Sequence, residues 1–355
     1  MEPTPTEDVT MTDPTESKQD TREHKLFMNK LRKQFEDTQF RGGEELELPK
    51  GNSTGSLSLD INLQVPCYEG SIVEIYSNEG AGKTTLVLSI LEQAALSGKK
   101  VLFLDQEQSL QPTLVDSFPT LRKEGVLEVV TAPTGEDALK IAELWALQFP
   151  GSLIAIDSVD ALLPEQTDAK EIGETDVGTL PKLMSAGCRK LQAAVGKSKS
   201  AVIFLNQMRS KIGAYGNPNT TSGGRALPFY AAQRIELMDI TSKTRIMSDD
   251  GDQIGHIVRY KIIKNKVAPP FVSGEFPLLY GKGIDVYEEL ATMAGDLGVI
   301  EKDGKYYMME NDKGEMVKKP HKTVVNMLRG DPELYQSTLD ELKSLYPETF
   351  GEQGS

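Results

Sequence analysis

Ser77-Asn78-Glu79-Gly80-Ala81-Gly82-Lys83-Thr84 lies between an apolar run, Ile72-Val73-Glu74-Ile75-Tyr76, and a helix-like run, Thr85-Leu86-Val87-Leu88-Ser89-Ile90-Leu91. Strand, Gly-rich loop and helix in this order form the context a phosphate-binding loop requires. Small residues let backbone N–H groups curl around a phosphate, and the following helix points its positive dipole end at the same place. Lys83 adds a point charge for the β- and γ-phosphates, the Thr84 hydroxyl suits Mg2+, and Ser77 to Thr85 form the candidate nucleotide cradle. One letter departs from the G-x-x-x-x-G-K-[ST] pattern: Ser77 replaces the first glycine, the position farthest from the phosphates. A Gly-rich turn before an ordinary helix is the bland alternative, and the flanking runs disfavour it. The chain is expected to bind a nucleoside triphosphate.

A chain of 355 residues can hold one large α/β core and a smaller domain. No apolar run approaches the roughly 18 residues of a membrane span, and the acidic start lacks a secretory signal's features. No membrane role is expected. Cys67 and Cys188 are the two cysteines, without a CxxC pair, so small buried hydrophobes in a reducing cytoplasm are expected rather than disulfides or zinc ligands. The net charge of -14 argues on its face against nucleic acid. Any DNA site must therefore be a local basic surface, screened from the bulk charge over a Debye length of about 8 Å.

Residues 1–20 are rich in Glu, Asp, Pro, Thr and Ser and read as a disordered acidic tail. Within a segment at 21–52, Leu26, Phe27, Leu31 and Phe35 recur at helical spacing. Such a helix must cover its apolar face against a neighbouring subunit or against its own domain, and the pattern allows both. From 53 to 286 strand-like runs (72–76, 101–104, 127–131, 153–156, 202–205, 234–238) alternate with helix-like runs at 83–97, 136–148 and 179–197, then further strands follow. The alternation predicts an α/β fold, a mostly parallel sheet with helices on both faces. Residues 287–346 read as a small C-terminal α/β domain with a strand pair near Tyr306–Met309, and 347–355 as a frayed tail.

Hydrolysis of a bound triphosphate needs one carboxylate to activate water and another near the metal. Asp105 and Glu107 follow the apolar strand Val101–Leu104, and Asp157 ends Leu153–Ile156. In open α/β sheets the ligand crevice lies beyond the carboxyl ends of the strands, so these groups should converge with the loop. Asp105 reads as a helix cap or strand-end turn, Glu107 and Asp157 as site residues.

Seven motifs in order, Ser53-Thr54-Gly55-Ser56-Leu57-Ser58-Leu59-Asp60, the loop at 77–84, Phe103-Leu104-Asp105-Gln106-Glu107, Ile156-Asp157-Ser158-Val159, Phe204-Leu205-Asn206-Gln207-Met208-Arg209, Gly216-Asn217-Pro218-Asn219-Thr220-Thr221-Ser222-Gly223-Gly224 and Lys264-Asn265-Lys266-Val267-Ala268-Pro269-Pro270-Phe271, resemble the bacterial RecA recombinase family. The likeness runs from about Arg22 into the C-terminal domain, and the departures suit a divergent member such as a phage encodes. It implies a RecA-type core with ATP and Mg2+ as cofactors, Glu107 as the residue activating water, and Asp157 near the metal. Gln207 is implied as the sensor of the γ-phosphate. Lys264 and Lys266 are implied to reach the nucleotide of an adjacent copy, where two cations stabilise transition-state charge only after assembly.

The resemblance places two DNA loops at about 168–178 and 208–224. The second carries Arg209, Lys211, Tyr215, Gly223 and Gly224, with Arg225 just beyond it: charges for phosphates, glycines for close backbone approach, and a ring to stack on bases. The first is acidic, so Lys182 and Arg189 on the next helix are expected to supply its charge. Gln111 stands where the family has an acidic residue at the nucleotide, and Leu114 where it has an adenine-stacking aromatic, which implies looser base selectivity. Pro228 replaces a lysine before Phe229, the residue that matches the family's interface phenylalanine. The C-terminal lysines suit duplex capture or a solvated face equally.

These expectations describe an ATP-dependent DNA recombinase of the bacterial cytoplasm, or of a phage-infected cell. It would form a helical filament on single-stranded DNA, pair it with homologous duplex DNA and hydrolyse ATP under DNA stimulation. Phe27, Leu31, Phe35 and Phe229 would lie at the filament contact. The alternatives are a helicase-like ring ATPase on the same core and a weakly hydrolysing single-stranded-DNA-binding mediator.

Overall fold

The computed structural model describes residues 14–35, 40, 41, 43, 46–168, 178–210, 219–248, 250–310 and 314–351. The chain divides into two compact units, Met1–Leu48 and Pro49–Ser355. In the first, helix α1 spans Pro14–Gln34 and thus begins inside the stretch expected to be a disordered tail. Pro14 presets a helical φ at the first turn, and the Glu, Lys, Gln and Arg that follow are good helix formers. Leu26, Phe27 and Phe35 are exposed on it, and Leu31 is half-buried.

The second unit opens with α2 (Leu57–Leu63), which the apolar pattern had not revealed, and continues through β1 (Ile72–Ser77), α3 (Lys83–Leu96), β2 (Val101–Asp105), α4 (Pro112–Val115) and β3 (Leu127–Val130). Next come α5 (Gly135–Gln148), β4 (Leu153–Asp157), α6 (Glu165–Asp168), α7 (Thr179–Ser198), β5 (Ala201–Ser210), β6 (Asn219–Thr221), α8 (Ala226–Tyr230) and β7 (Gln233–Leu237). Strands β8 (Arg245–Met247), β9 (Gln253–Asn265), β10 (Ser273–Leu279) and β11 (Gly283–Ile284) complete the main sheet, in the order β11-β10-β9-β7-β1-β5-β4-β2-β3 with β6 on β5 and β8 on β9. From β7 to β3 neighbours run parallel, while β9, β10 and β11 are antiparallel.

β1, β2, β4 and the first six residues of β5 are buried on both faces, which is why they read as largely unbroken apolar runs, whereas β7 alternates and the edge strand β3 is partly exposed. Val73 and Ile75 of β1, Phe103 of β2 and Ile203 of β5 face the layer that contains α3. Ile72, Leu102, Ile156 and Phe204 face the layer built by α5 and α7. Cys67 and Cys188 are free and buried, as expected of small apolar side chains. Among the described residues no helix is long and apolar enough to cross a membrane.

The C-terminal stretch contains α9 (Val286–Asp296), β12 (Lys302–Asp303), β13 (Tyr306–Glu310), β14 (Met316–Pro320), α10 (His321–Gly330), α11 (Pro332–Ser344) and α12 (Pro347–Phe350). A three-stranded antiparallel sheet thus replaces the expected strand pair, and a short helix occupies part of the expected frayed tail. Its core of Leu290, Ala294, Tyr307, Val324, Leu328 and Leu342 also takes in Leu57 and Ile61 of α2. The boundary near 286 therefore marks a change of sequence pattern and not a break in packing.

Candidate nucleotide and nucleic-acid site

The strand order sets Ser77 of β1 level with Gln207 of β5, and Asp157 of β4 level with Asp105 of β2. All these carboxyl ends meet at one edge of the parallel sheet, where a crevice is expected. The loop from Ser77 enters α3 through Gly80 and Gly82, with φ of 75° and 95°, a region that costs other residues strain. A Cβ on Gly82 would also come within 3.1 Å of Leu278 Cδ1. Lys83 folds along its own loop, its Nζ donating to the Ser77 hydroxyl (2.9 Å) and the Asn78 carbonyl (3.0 Å). Ser77 thus gives the lysine a side-chain acceptor that glycine could not. Burial lowers the Lys83 pKa, and the nearby carboxylates of Asp157 and Glu107 oppose the shift. The Asn78 amide donates to both carboxylate oxygens of Asp239, at 2.8 and 3.0 Å.

The Thr84 hydroxyl donates to Asp157 Oδ2 at 3.0 Å. Burial, reinforced by the Glu107 charge, pushes the Asp157 carboxyl up to about 6. The N–H groups of Gln106 and Glu107 both donate to the Asp157 carbonyl (2.7 and 3.1 Å), which turns the chain after β2 so that Glu107 stands beside Asp157. The Glu107 carboxylate then accepts from the Ser158 hydroxyl and from Gln207 Nε2, the latter at 3.3 Å. Asp105 instead accepts the N–H groups of Ser109 and Leu110 at 3.1 Å, the turn brace its strand-end position suggested.

Thr84 and Asp157 present hard oxygen donors side by side, the ligand type Mg2+ prefers, and Lys83 with the N-terminus of α3 suits a polyphosphate. These residues fit a magnesium nucleotide. Gln111 lies exposed at the start of α4, its carbonyl accepting from Leu114 N–H at 3.0 Å, and Leu114 packs on the apolar layer that contains α3. The hydrogen bonds that unite the cluster do not extend to Gln111 among the described residues.

On the expected DNA side, Arg209 pairs with Asp160 at 3.0 Å and also reaches Ser222. Lys182 and Arg189 are exposed on α7, seven positions apart and so on one face of that helix. Arg225 is exposed just before α8. Gly223 and Gly224 have φ of 80° and 78°, and a Cβ on either would press on Val159 (2.9 Å), Met184 (3.0 Å) or Pro181 (3.1 Å). Their glycine character therefore seats the returning loop end against α7. Lys211, Tyr215 and residues 169–177 of the first loop lie outside the described residues. Lys264 donates to the carbonyls of Pro228 and Phe229, both at 2.9 Å, while Lys266 is exposed. Phe229 itself is 74% exposed.

Residues 25–285 match the family model of the RecA N-terminal domain. The chain belongs to the RecA family. It is 38% identical over 292 residues to protein RecA of Oceanobacillus iheyensis, spanning 81% of this chain and 82% of that protein. Identity to protein RecA of Thermus thermophilus is 39% over 313 residues, covering 86% and 88%. The crystal structure of the RadB recombinase superposes with a TM-score of 0.49 at 20% identity, covering 66% of this chain and 98% of that one.

Membership of the RecA family places the chain among ATP-dependent recombinases, and the geometry adds residues that motif reading gave no role. Ser158 holds Glu107; its only signal was its place directly after Asp157. Asp239 meets the phosphate loop because β7 lies beside β1, a neighbour relation no local pattern encodes. Asn206, directly before Gln207, is buried and bonded to Glu74 of β1, to the Ser222 carbonyl and to the Gln207 N–H.

Proposed function

We propose that the chain is an ATP-dependent DNA recombinase that assembles as a helical filament on single-stranded DNA and pairs it with homologous duplex DNA. One observation carries the reading: Gln207 contacts Glu107 at the nucleotide edge and lies on the same strand, β5, that leads directly into the second loop. Lys83 and the N-terminus of α3 would bind the phosphates, and Thr84 and Asp157 would hold Mg2+. Bound Mg2+ would neutralise developing charge on the phosphoryl oxygens. Glu107, oriented by Ser158 and Gln207, is placed to orient a water and accept its proton. Lys264 and Lys266 act across a contact between copies. Because Lys264 also binds the carbonyls of Pro228 and Phe229, seating of Phe229 on a neighbour and delivery of the lysine are mechanically joined.

Filament assembly is supported by apolar side chains left open, Leu26, Phe27 and Phe35 on the N-terminal unit and Phe229 on the second. Two different patches meeting head to tail generate an open helix when the rotation does not close. The test is steady-state ATP hydrolysis with and without single-stranded DNA, with Glu107→Gln and Lys264→Ala alongside. A DNA-stimulated rate that both substitutions abolish is expected. Hydrolysis indifferent to DNA would point to a ring ATPase, and DNA binding without hydrolysis to a mediator.

A further inference from the structure

We infer that Asn206 is a positioning residue that ties the backbone of Gln207 to the returning end of the second loop, with Glu74 as its anchor; the inference rests on the recombinase reading above. Glu74 sits in β1 with parallel strands on both sides and is 0% exposed. A carboxylate in that place is costly unless it is paired and hydrogen-bonded. Arg234 of β7 pairs with its Oε2 while lying over the Tyr76 ring, 4.9 Å from the centroid. Asn206 of β5, also 0% exposed, donates its Nδ2 to Oε1 at 2.9 Å.

That bond decides which way the Asn206 amide points. A carboxylate accepts only, so Nδ2 must face Glu74 and Oδ1 must face away. Oδ1 accordingly accepts the Gln207 N–H at 2.9 Å. Nδ2 has a second proton, and it goes to the Ser222 carbonyl at 3.1 Å. One buried amide thereby holds the fixed sheet, the residue whose side chain touches Glu107, and the chain where it re-enters from the loop. Ser222 leads directly into Gly223 and Gly224, whose seating against Val159, Met184 and Pro181 leaves little slack. A shift of the Gln207 backbone cannot leave Oδ1 without disturbing the Ser222 bond, so the two ends of the loop move as one. A merely space-filling residue would need no donor toward Ser222, and an apolar pair at 74 and 206 would pack the sheet more cheaply.

Coupling through a contiguous network has to be demonstrated as coupling. The assay measures affinity of the full chain for a fluorescein-labelled oligo-dT with and without ATPγS, beside its affinity for a fluorescent ATP analogue and its Tm. Asn206→Asp keeps the acceptor for Gln207 N–H but sets two carboxylates together and cannot donate to Ser222. Adding Glu74→Gln restores a donor–acceptor pair between positions 74 and 206 and still leaves Ser222 without its donor. The double variant is expected to melt within about 2 °C of the parent. It should bind the ATP analogue within about twofold, yet lose at least about tenfold of the nucleotide-induced gain in DNA affinity, inside the usual span of allosteric coupling.

A stable double variant with the full gain would overturn the assignment and leave Asn206 a packing residue. If both Asp variants melt early, Asn206→Ser carries the same comparison, since its hydroxyl is too short to serve Gln207 and Ser222 together. A parent chain whose DNA affinity ignores nucleotide would instead overturn the recombinase reading, and the inference with it.

Discussion

Glu289 of α9 is 3% exposed and reaches across to the start of α2, accepting from the Ser56 hydroxyl (2.6 Å) and from the N–H groups of Leu57 (3.1 Å) and Ser58 (3.0 Å). Replacing it with alanine strands a buried hydroxyl and two helix-terminal N–H groups and, above about pH 7 where the carboxyl is ionised, removes an anion from the positive end of a helix. Each stranded donor costs about 1–3 kcal/mol, offset in part by water entering the space, so roughly 3–5 kcal/mol is expected. For a unit of about 300 residues this lowers Tm by roughly 5–8 °C. Burial raises the Glu289 carboxyl to about 7, against hydrogen bonds from Ser56, Ser58 and Leu57 that lower it. The folded state therefore holds this proton more tightly than the unfolded state does. The associated stability is complete below the unfolded carboxyl pKa of about 4.3, and it is lost as pH rises to about 7, by up to about 3 kcal/mol. Urea denaturation followed by the single tryptophan, Trp145, at pH 5.5 and 8 reads both effects. Glu289→Gln removes the proton exchange and should flatten that part of the pH profile. An alanine variant within about 1 kcal/mol of the parent, or a glutamine variant with an unchanged pH slope, would refute this account.

Asp157→Asn should abolish Mg2+-dependent ATP hydrolysis while raising stability at pH 8 by about 1–3 kcal/mol, because a buried carboxyl held at about 6 no longer has to ionise; rate and urea midpoint are measured on the same sample. Gly223→Ala should cost about 1–2 kcal/mol more than Gly80→Ala in denaturation, since both have positive φ but only Gly223 has neighbours within 4 Å of an added Cβ. Arg209→Ala loses an ion pair with Asp160 whose guanidinium end is exposed and a long hydrogen bond to Ser222, so stability should change by about 1 kcal/mol or less. Oligonucleotide affinity should fall in that variant, with a salt slope shallower by about 1 in a titration from low to high salt.

Much of the candidate nucleotide edge was legible in the sequence because its grammar is local. A strand, a loop with glycines where φ turns positive, and a helix occupy consecutive residues, so Lys83 and Thr84 could be placed before any packing was known. The parallel sheet was legible for a related reason: strands covered on both faces become unbroken apolar runs, and β1, β2, β4 and β5 are written that way. Asp105 was separated from Glu107 by its position at a strand end, and the turn after β2 bore this out. The start of α1 and the presence of α2 were not legible, since neither carries a long amphipathic stripe.

What the chain order could not disclose is who becomes whose neighbour. The placement of β5 between β1 and β4 joins Asn206 to Glu74 and Gln207 to Glu107, pairs that lie 132 and 100 residues apart. Glu289 caps a helix 233 residues before it for the same kind of reason. The family's motifs and the two-sided apolar strands were determined by sequence alone, because local backbone preference and burial act on neighbouring residues. The Asn206 amide, the Ser158 brace and the Glu289 cap were decided by tertiary structure, because a buried polar group takes the partner that the sheet order brings within 3 Å or so, wherever that partner lies in the chain.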